Sequence, residues 1–114
     1  MTVPNRTMPT ACFHVLLALA DAPRHGLGIV DEVERRTEGR VTLGPGSLYG
    51  SLKRLAADGW IRESGERPDE SGDTRRRYWR ITPEGRQALR EELEILERVL
   101  DSARQKSLLP RRAP

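Results

Sequence analysis

Apolar positions change their spacing along this chain, and each change marks a new element. From Pro9 to Asp21 the residues Ala11, Cys12, Phe13, Val15, Leu16, Leu17, Ala18, Leu19 and Ala20 are apolar nearly all round a helical circumference. Such a helix is buried on more than one side, so one side is expected to face its own domain and the other a second subunit. The breaker Ala22-Pro23-Arg24-His25-Gly26 ends it. Between Gly28 and Arg36 a short helix places Ile29 and Val33 inward at helical spacing, with Asp31, Glu32, Glu34, Arg35 and Arg36 outward. Val41 and Leu43 then predict a brief extended stretch, and Pro45 suits the first turn of the helix that follows.

In that third helix, Pro45 to Asp58, Leu48, Leu52 and Leu55 define one buried edge. The opposite edge carries Ser47, Tyr49, Gly50, Ser51, Lys53 and Arg54, a small and basic surface suited to close approach by phosphate. Gly59 stops the helix, Trp60 to Ser64 reads as a strand, and Gly65 to Thr74, rich in Gly, Pro and acids, reads as a loop. A second strand, Arg76 to Thr82, alternates Arg77, Trp79 and Ile81 with Arg76, Tyr78 and Arg80. Trp79 and Ile81 are expected to face the core, leaving Arg76 and Arg80 for a nucleic-acid backbone, with Tyr78 as a packing or hydrogen-bonding wedge. Thr82 and Pro83 open the last helix, where Leu89, Leu93, Leu96, Leu100 and Ala103 form a seam at alternating four- and three-residue spacing.

These elements predict a mainly α fold with a small β-hairpin: a winged helix-turn-helix followed by a long C-terminal dimerisation helix. The expected division is a DNA-binding domain over residues 9–82, the dimerisation helix over 83–106, and disordered tails over 1–8 and 107–114. In a winged helix the second helix of the pair enters the major groove while the hairpin grips the backbone. The last seam is too short for an independent coiled coil, and packing against the first helix of a second subunit accounts for it better than folding back over its own domain.

Composition narrows the function. Hydrophobic residues make up only 36% of the 114 residues, a thin supply for a core, which favours a subunit partner. The longest apolar run, Val15 to Ala20, is far short of a membrane span, and the N-terminus lacks a signal-peptide pattern, so the chain reads as cytoplasmic. The net charge of +3 is modest but unevenly placed. Arg75, Arg76, Arg77 and Arg80 cluster in the hairpin, while Glu84 to Asp101 carries more acids than bases, which separates a nucleic-acid face from a partner face. Only two of the twenty basic residues are lysine, so position matters here more than the choice of arginine. Cys12, the single cysteine, reads as a small core residue or, less simply, a redox sensor. His14 and His25 form no catalytic pair, and no metal-ligand spacing or activated nucleophile is present in the sequence. The chain is expected to be no enzyme and to need no cofactor or metal.

At particular residues the chain resembles the PadR family of bacterial transcriptional regulators. The resemblance rests on His25-Gly26, on Leu43-Gly44-Pro45-Gly46-Ser47-Leu48-Tyr49, on Leu52-Lys53-Arg54-Leu55, on Gly59-Trp60-Ile61 and on Arg75 to Gly85, and spans roughly Phe13 to Leu100. It departs from the common pattern at Gly50, where proline is frequent, and at Leu27, where tyrosine is. The resemblance implies a homodimeric repressor that binds double-stranded DNA at an inverted repeat and releases it when a small hydrophobic or aromatic effector binds. It implies DNA contacts from Ser47, Tyr49, Lys53 and Arg54 and from Arg76, Arg77 and Arg80. With a single helix after the wing, it points to the compact branch of the family, dimerising through Phe13, Leu16, Leu17, Leu89, Leu93, Leu96 and Leu100. An effector pocket there would involve Phe13, Leu17, Leu93 and Leu96, residues that serve equally as plain dimer core. A winged-helix protein-interaction module without sequence-specific DNA binding is the alternative.

Overall fold

The computed structural model describes residues 8–65 and 76–112. Its elements run α1 (Thr10–Ala18), β1 (Arg24–His25), α2 (Gly26–Arg36), α3 (Pro45–Ala57), β2 (Ile61–Ser64), β3 (Tyr78–Ile81) and α4 (Pro83–Gln105). The predicted winged helix-turn-helix with a long last helix is thus the observed architecture. The residues expected to form the wing loop beyond Gly65, together with Arg75 and Met1 to Thr7, lie outside the described residues.

Helix α1 stands at the centre, packed on α2, α3 and α4. Cys12, Val15, Leu16, Ala18 and Leu19 are buried there, joined by Ile29 and Val33 from α2, Leu48, Leu52 and Leu55 from α3, and Leu89 from α4. The helix ends earlier than its apolar run, and two arginines bind carbonyls at and just beyond its end. Arg24 Nε donates to Ala18 O at 2.8 Å and Arg86 donates to Ala20 O at 3.0 Å. Arg36 of α2 also donates to the His14 carbonyl, tying α2 to the outer side of α1. Partial burial, then the Arg36 charge, hold His14 below the ordinary histidine value, which favours the neutral ring beside that guanidinium.

A third strand was not legible in the pattern. Within the segment read as a helix breaker, β1 pairs antiparallel with β3, Arg24 opposite Trp79 and His25 opposite Tyr78, so the sheet order is β1-β3-β2. This makes β3 a central strand and changes which side chains it buries. Tyr78, expected as a wedge, is buried, with the His25 ring edge-on at 5.2 Å between centroids. Ile81 is buried as expected, whereas Trp79 is half-buried at the margin of the core. No extended strand forms at Val41 and Leu43; Leu43 is nonetheless anchored in the core.

One junction sets how α3, the wing and α4 leave the body. Gly59, at φ 76, lets the Trp60 N–H return to Leu55 O at 2.9 Å, closing α3 with a left-handed cap. Thr82 then binds this turn: its N–H donates to Trp60 O at 3.0 Å and its hydroxyl donates to Gly59 O at 2.7 Å. The same hydroxyl accepts from Gly85 N–H at 3.0 Å, capping α4. Gly85 is buried against this turn, where a Cβ would run into the Trp60 carbonyl. Beyond Leu89 the helix leaves the core, and Leu93, Ile95, Leu96, Val99 and Leu100 are exposed. Its C-terminus is closed by Leu108 N–H donating to Ala103 O at 2.9 Å, with Ser107 left-handed at φ 63. The following residues, expected to fray, instead run back beside α4: Arg104 Nε donates to Pro110 O at 3.2 Å, and Arg112 pairs with Glu97.

The Gly85 contact predicts a measurable loss. In Gly85→Ala an overpacking cost of roughly 3 kcal/mol outweighs the about 1 kcal/mol gained in helix propensity, for a net destabilisation of about 2 kcal/mol. Urea unfolding of the variant checks this, and an unchanged midpoint would contradict the close packing.

Candidate nucleic-acid interface

Helix α3 is built with one side committed to the core and the other left bare. Pro45 occupies its first turn, and Gly44 precedes it in an extended conformation. Leu48, Ser51, Leu52 and Leu55 are buried, the i, i+3, i+4, i+7 set of one helical face. Ser51 therefore belongs to the inner edge and has no surface for DNA. Its position three residues after Leu48 carried that signal, which its hydroxyl obscured. Ser47, Tyr49, Gly50, Lys53 and Arg54 are exposed.

These exposed residues diverge to different flanks. Tyr49 and Lys53 line a groove of about 620 Å³ with His25, Leu27, Ala56, Arg76, Arg77 and Trp79. The recognition helix, the start of α2 and the wing thus share one concave surface. Arg54 is turned the other way, lining a cavity of about 470 Å³ with Cys12, Asp58, Trp60, Glu91 and Glu92. Arg80, on the strand face opposite Trp79, stands directly across from Arg62, and both are exposed. Facing like charges destabilise a hairpin unless an anion or solvent lies between them, so Arg62 joins the cationic positions the sequence pattern did not single out.

His25 and Leu27 were likewise missed. His25 Nδ1 accepts from the Gly28 N–H at 3.3 Å, capping α2, while its Nε2 lies 3.2 Å from the Arg76 guanidinium. One ring thereby ties the N-terminus of α2 to the wing. Arg77 donates to Glu63 at 2.6 Å across the hairpin and lies over the Trp79 ring, 5.2 Å from its centroid. The hydrogen bond from Arg77, then its charge, hold the Glu63 carboxyl below its usual value. Arg75 lies outside the described residues.

The residues expected at a subunit interface also separate. Leu16 and Leu89 are 0% and 4% exposed within the single chain, so they have no surface left to offer a partner. The reason is the central place of α1, whose sides are already taken by α2, α3 and α4. Phe13 and Leu17 are half-buried. Leu93, Leu96 and Leu100 share a shallow open surface with Arg90, Glu94, Glu97 and Arg112, which Phe13 and Leu17 do not line.

The model of the transcriptional regulator PadR-like family matches residues 15–91, an interval that holds α3, the wing and the start of α4. The chain belongs to the PadR-like family. It is 38% identical over 84 residues to a transcriptional regulator of Mycobacterium tuberculosis, covering 74% of this chain and 73% of that protein. It is 42% identical over 85 residues to an uncharacterised 37.1 kDa protein from a transposon of Streptomyces fradiae, covering 75% of this chain but 22% of that longer protein. Among solved structures, a PadR family regulator from Eggerthella lenta superposes with TM-score 0.63 at 27% identity, covering 90% of this chain and 84% of that one. A PadR family regulator from Clostridium difficile gives TM-score 0.69 at 21% identity, covering 83% of this chain and 95% of that one, a likeness of fold. The family is one of DNA-binding transcriptional regulators and not of enzymes, and among the described residues this PadR-like chain has its compact winged helix-turn-helix fold with the C-terminal helix α4.

The Glu63 contact generates a prediction for this regulator. Glu63→Gln removes a negative charge beside a cationic groove and releases Arg77, so duplex binding is expected to tighten about two- to fivefold at low salt. Fluorescence anisotropy with a labelled duplex measures it; weaker binding would show that Glu63 supports the DNA face.

Proposed function

We propose that this PadR-like regulator is a homodimeric, sequence-specific repressor that sets α3 of each subunit into successive major grooves of an inverted repeat. The observation that carries this reading is the single groove joining Tyr49 and Lys53 of α3 to Arg76 and Arg77 of the wing. Gly50 supports it. Glycine inside a helix costs about 1 kcal/mol relative to alanine, and among the described residues no atom beyond its chain neighbours and its own helix backbone lies within 4 Å of where its Cβ would stand. The missing side chain is of use only against an outside surface that must come close, as a base edge or a phosphate does. Ser47 is exposed near the start of the same helix, and Arg80, with Arg62, offers cations on the outer side of the hairpin; Arg54 lines the cavity beside α1 and α4 instead.

Dimerisation is proposed through α4, whose 23 residues span about 34 Å and expose Leu93, Leu96, Val99 and Leu100 once past the core. Phe13 and Leu17, half-buried on α1, offer the matching surface of the second subunit. Effector release follows in this reading from a small hydrophobic or aromatic molecule entering between Phe13, Leu17, Leu93 and Leu96 and changing the spacing of the two recognition helices. In-vitro selection from random duplexes, followed by anisotropy titration, tests the DNA half; no duplex bound below micromolar concentration would sink it. For the dimer half, Leu96→Arg alters an exposed side chain and is expected to give the monomer mass by light scattering. DNA affinity should fall on the order of a hundredfold as the second half-site is lost. A dimer mass for that variant would place the subunit contact elsewhere.

A further inference from the structure

The DNA-facing groove contains apolar surface that phosphate contacts do not explain. Leu27 is 70% exposed and Tyr49 66%, far more than the other large hydrophobic residues around this groove. Leu27 sits in the first turn of α2, two residues after the cap residue His25, and lines the same groove as Tyr49 and Lys53. The start of α2 is held against α3, for a Cβ on Gly26 would lie 3.2 Å from Leu48 Cδ2. This approach of Gly26 to Leu48 sets Leu27 beside the recognition helix. An exposed leucine gains nothing from a phosphate and has no packing role in its own subunit. In the major groove the apolar feature that a base pair displays is the thymine 5-methyl group. The cations Lys53, Arg76 and Arg77 around the same groove would hold the duplex against this apolar pair.

We propose that Leu27, with Tyr49, is a specificity-determining residue that reads a thymine 5-methyl group in each half-site. The proposal rests on the DNA-reading function above, yet it can fail while that function stands. Lys53 of the recognition helix would contribute the electrostatic contact, while Tyr49 of that helix and Leu27 of the preceding one share a methyl contact at the edge of the half-site. Apolar contact with the methyl group discriminates against uracil, which lacks it, whereas hydrogen bonding to the thymine O4 rejects cytosine but not uracil.

The test uses a duplex obtained by in-vitro selection with the full chain. Each thymine is replaced in turn by deoxyuridine, which removes the methyl group and leaves base pairing unchanged. For the unaltered protein, one thymine position per half-site is expected to show affinity reduced about fourfold, the worth of one buried methyl group. For Leu27→Ala, whose altered side chain is exposed and whose melting temperature should be unchanged, that sensitivity disappears, and in Leu27→Met it returns. Three results would overturn the proposal while leaving DNA binding intact: no position sensitive to deoxyuridine, sensitivity that persists in Leu27→Ala, or equal weakening by Leu27→Ala on specific and unrelated duplexes. The last would mean that Leu27 packs on the sugar-phosphate backbone. Failure of the unaltered protein to select any duplex contradicts the underlying function and the proposal together.

Discussion

Thr82 stands where three parts of the molecule part company, and its hydrogen bonds determine their directions. Through Gly59 and Trp60 it holds the end of α3 and the entry to β2, and through Gly85 it starts α4. Each of these bonds is worth on the order of 1 kcal/mol in isolation. Together they make the recognition helix, the wing and the last helix leave one rigid turn rather than three flexible joints. The groove between α3 and β3 and the projection of α4 both follow from this turn. The glycine at position 85 is needed there because the backbone of Trp60 occupies the place of its side chain.

The second anchor of the groove is His25. Its cap on α2 and its place beside Arg76 bring the helix pair and the wing to a common surface. The strand pairing of β1 with β3 achieves this and buries Tyr78, so β3 is attached to the body at Tyr78 and Trp79. A DNA reader of this kind combines a helix that must fit a groove with a hairpin that must reach the backbone. Rigid attachment fixes their relative positions before the duplex arrives, which lowers the entropy lost on binding. Meanwhile α4 leaves the body on its own course, with its apolar side outward and acids along its length.

Long, strongly periodic elements were legible in the sequence. The buried edge of α3 followed from Leu48, Leu52 and Leu55, and the cap of α4 from Thr82 and Pro83. What escaped depended on tertiary context. A strand of two residues has no period to detect, so β1 was hidden inside a breaker, and with it the burial of Tyr78. Ser51 was assigned outward by its polarity although its spacing placed it inward. Neither the all-apolar run around Leu16 nor the seam that contains Leu89 says how many neighbours its own chain supplies, so their burial within one subunit is not visible in the spacing. The basic residues were recognised by type, but their division between the groove, the Arg54 cavity and the Arg62–Arg80 pair depends on the register of the hairpin and the phase of α3. The return of the C-terminal residues along α4 rests on Ser107 in a left-handed conformation, a position where glycine would have given the signal.

The central claim is that α3 and the wing act as one reader, repeated by two-fold symmetry. Hydroxyl-radical footprinting of the full chain on a selected duplex tests it most directly. Two protected backbone segments, each bordering a major groove that α3 enters, are expected about one helical turn, or 10 base pairs, apart on one face of the duplex, each flanked by a shorter patch from the wing. A single protected segment, or protection spread evenly along the duplex, would contradict the account.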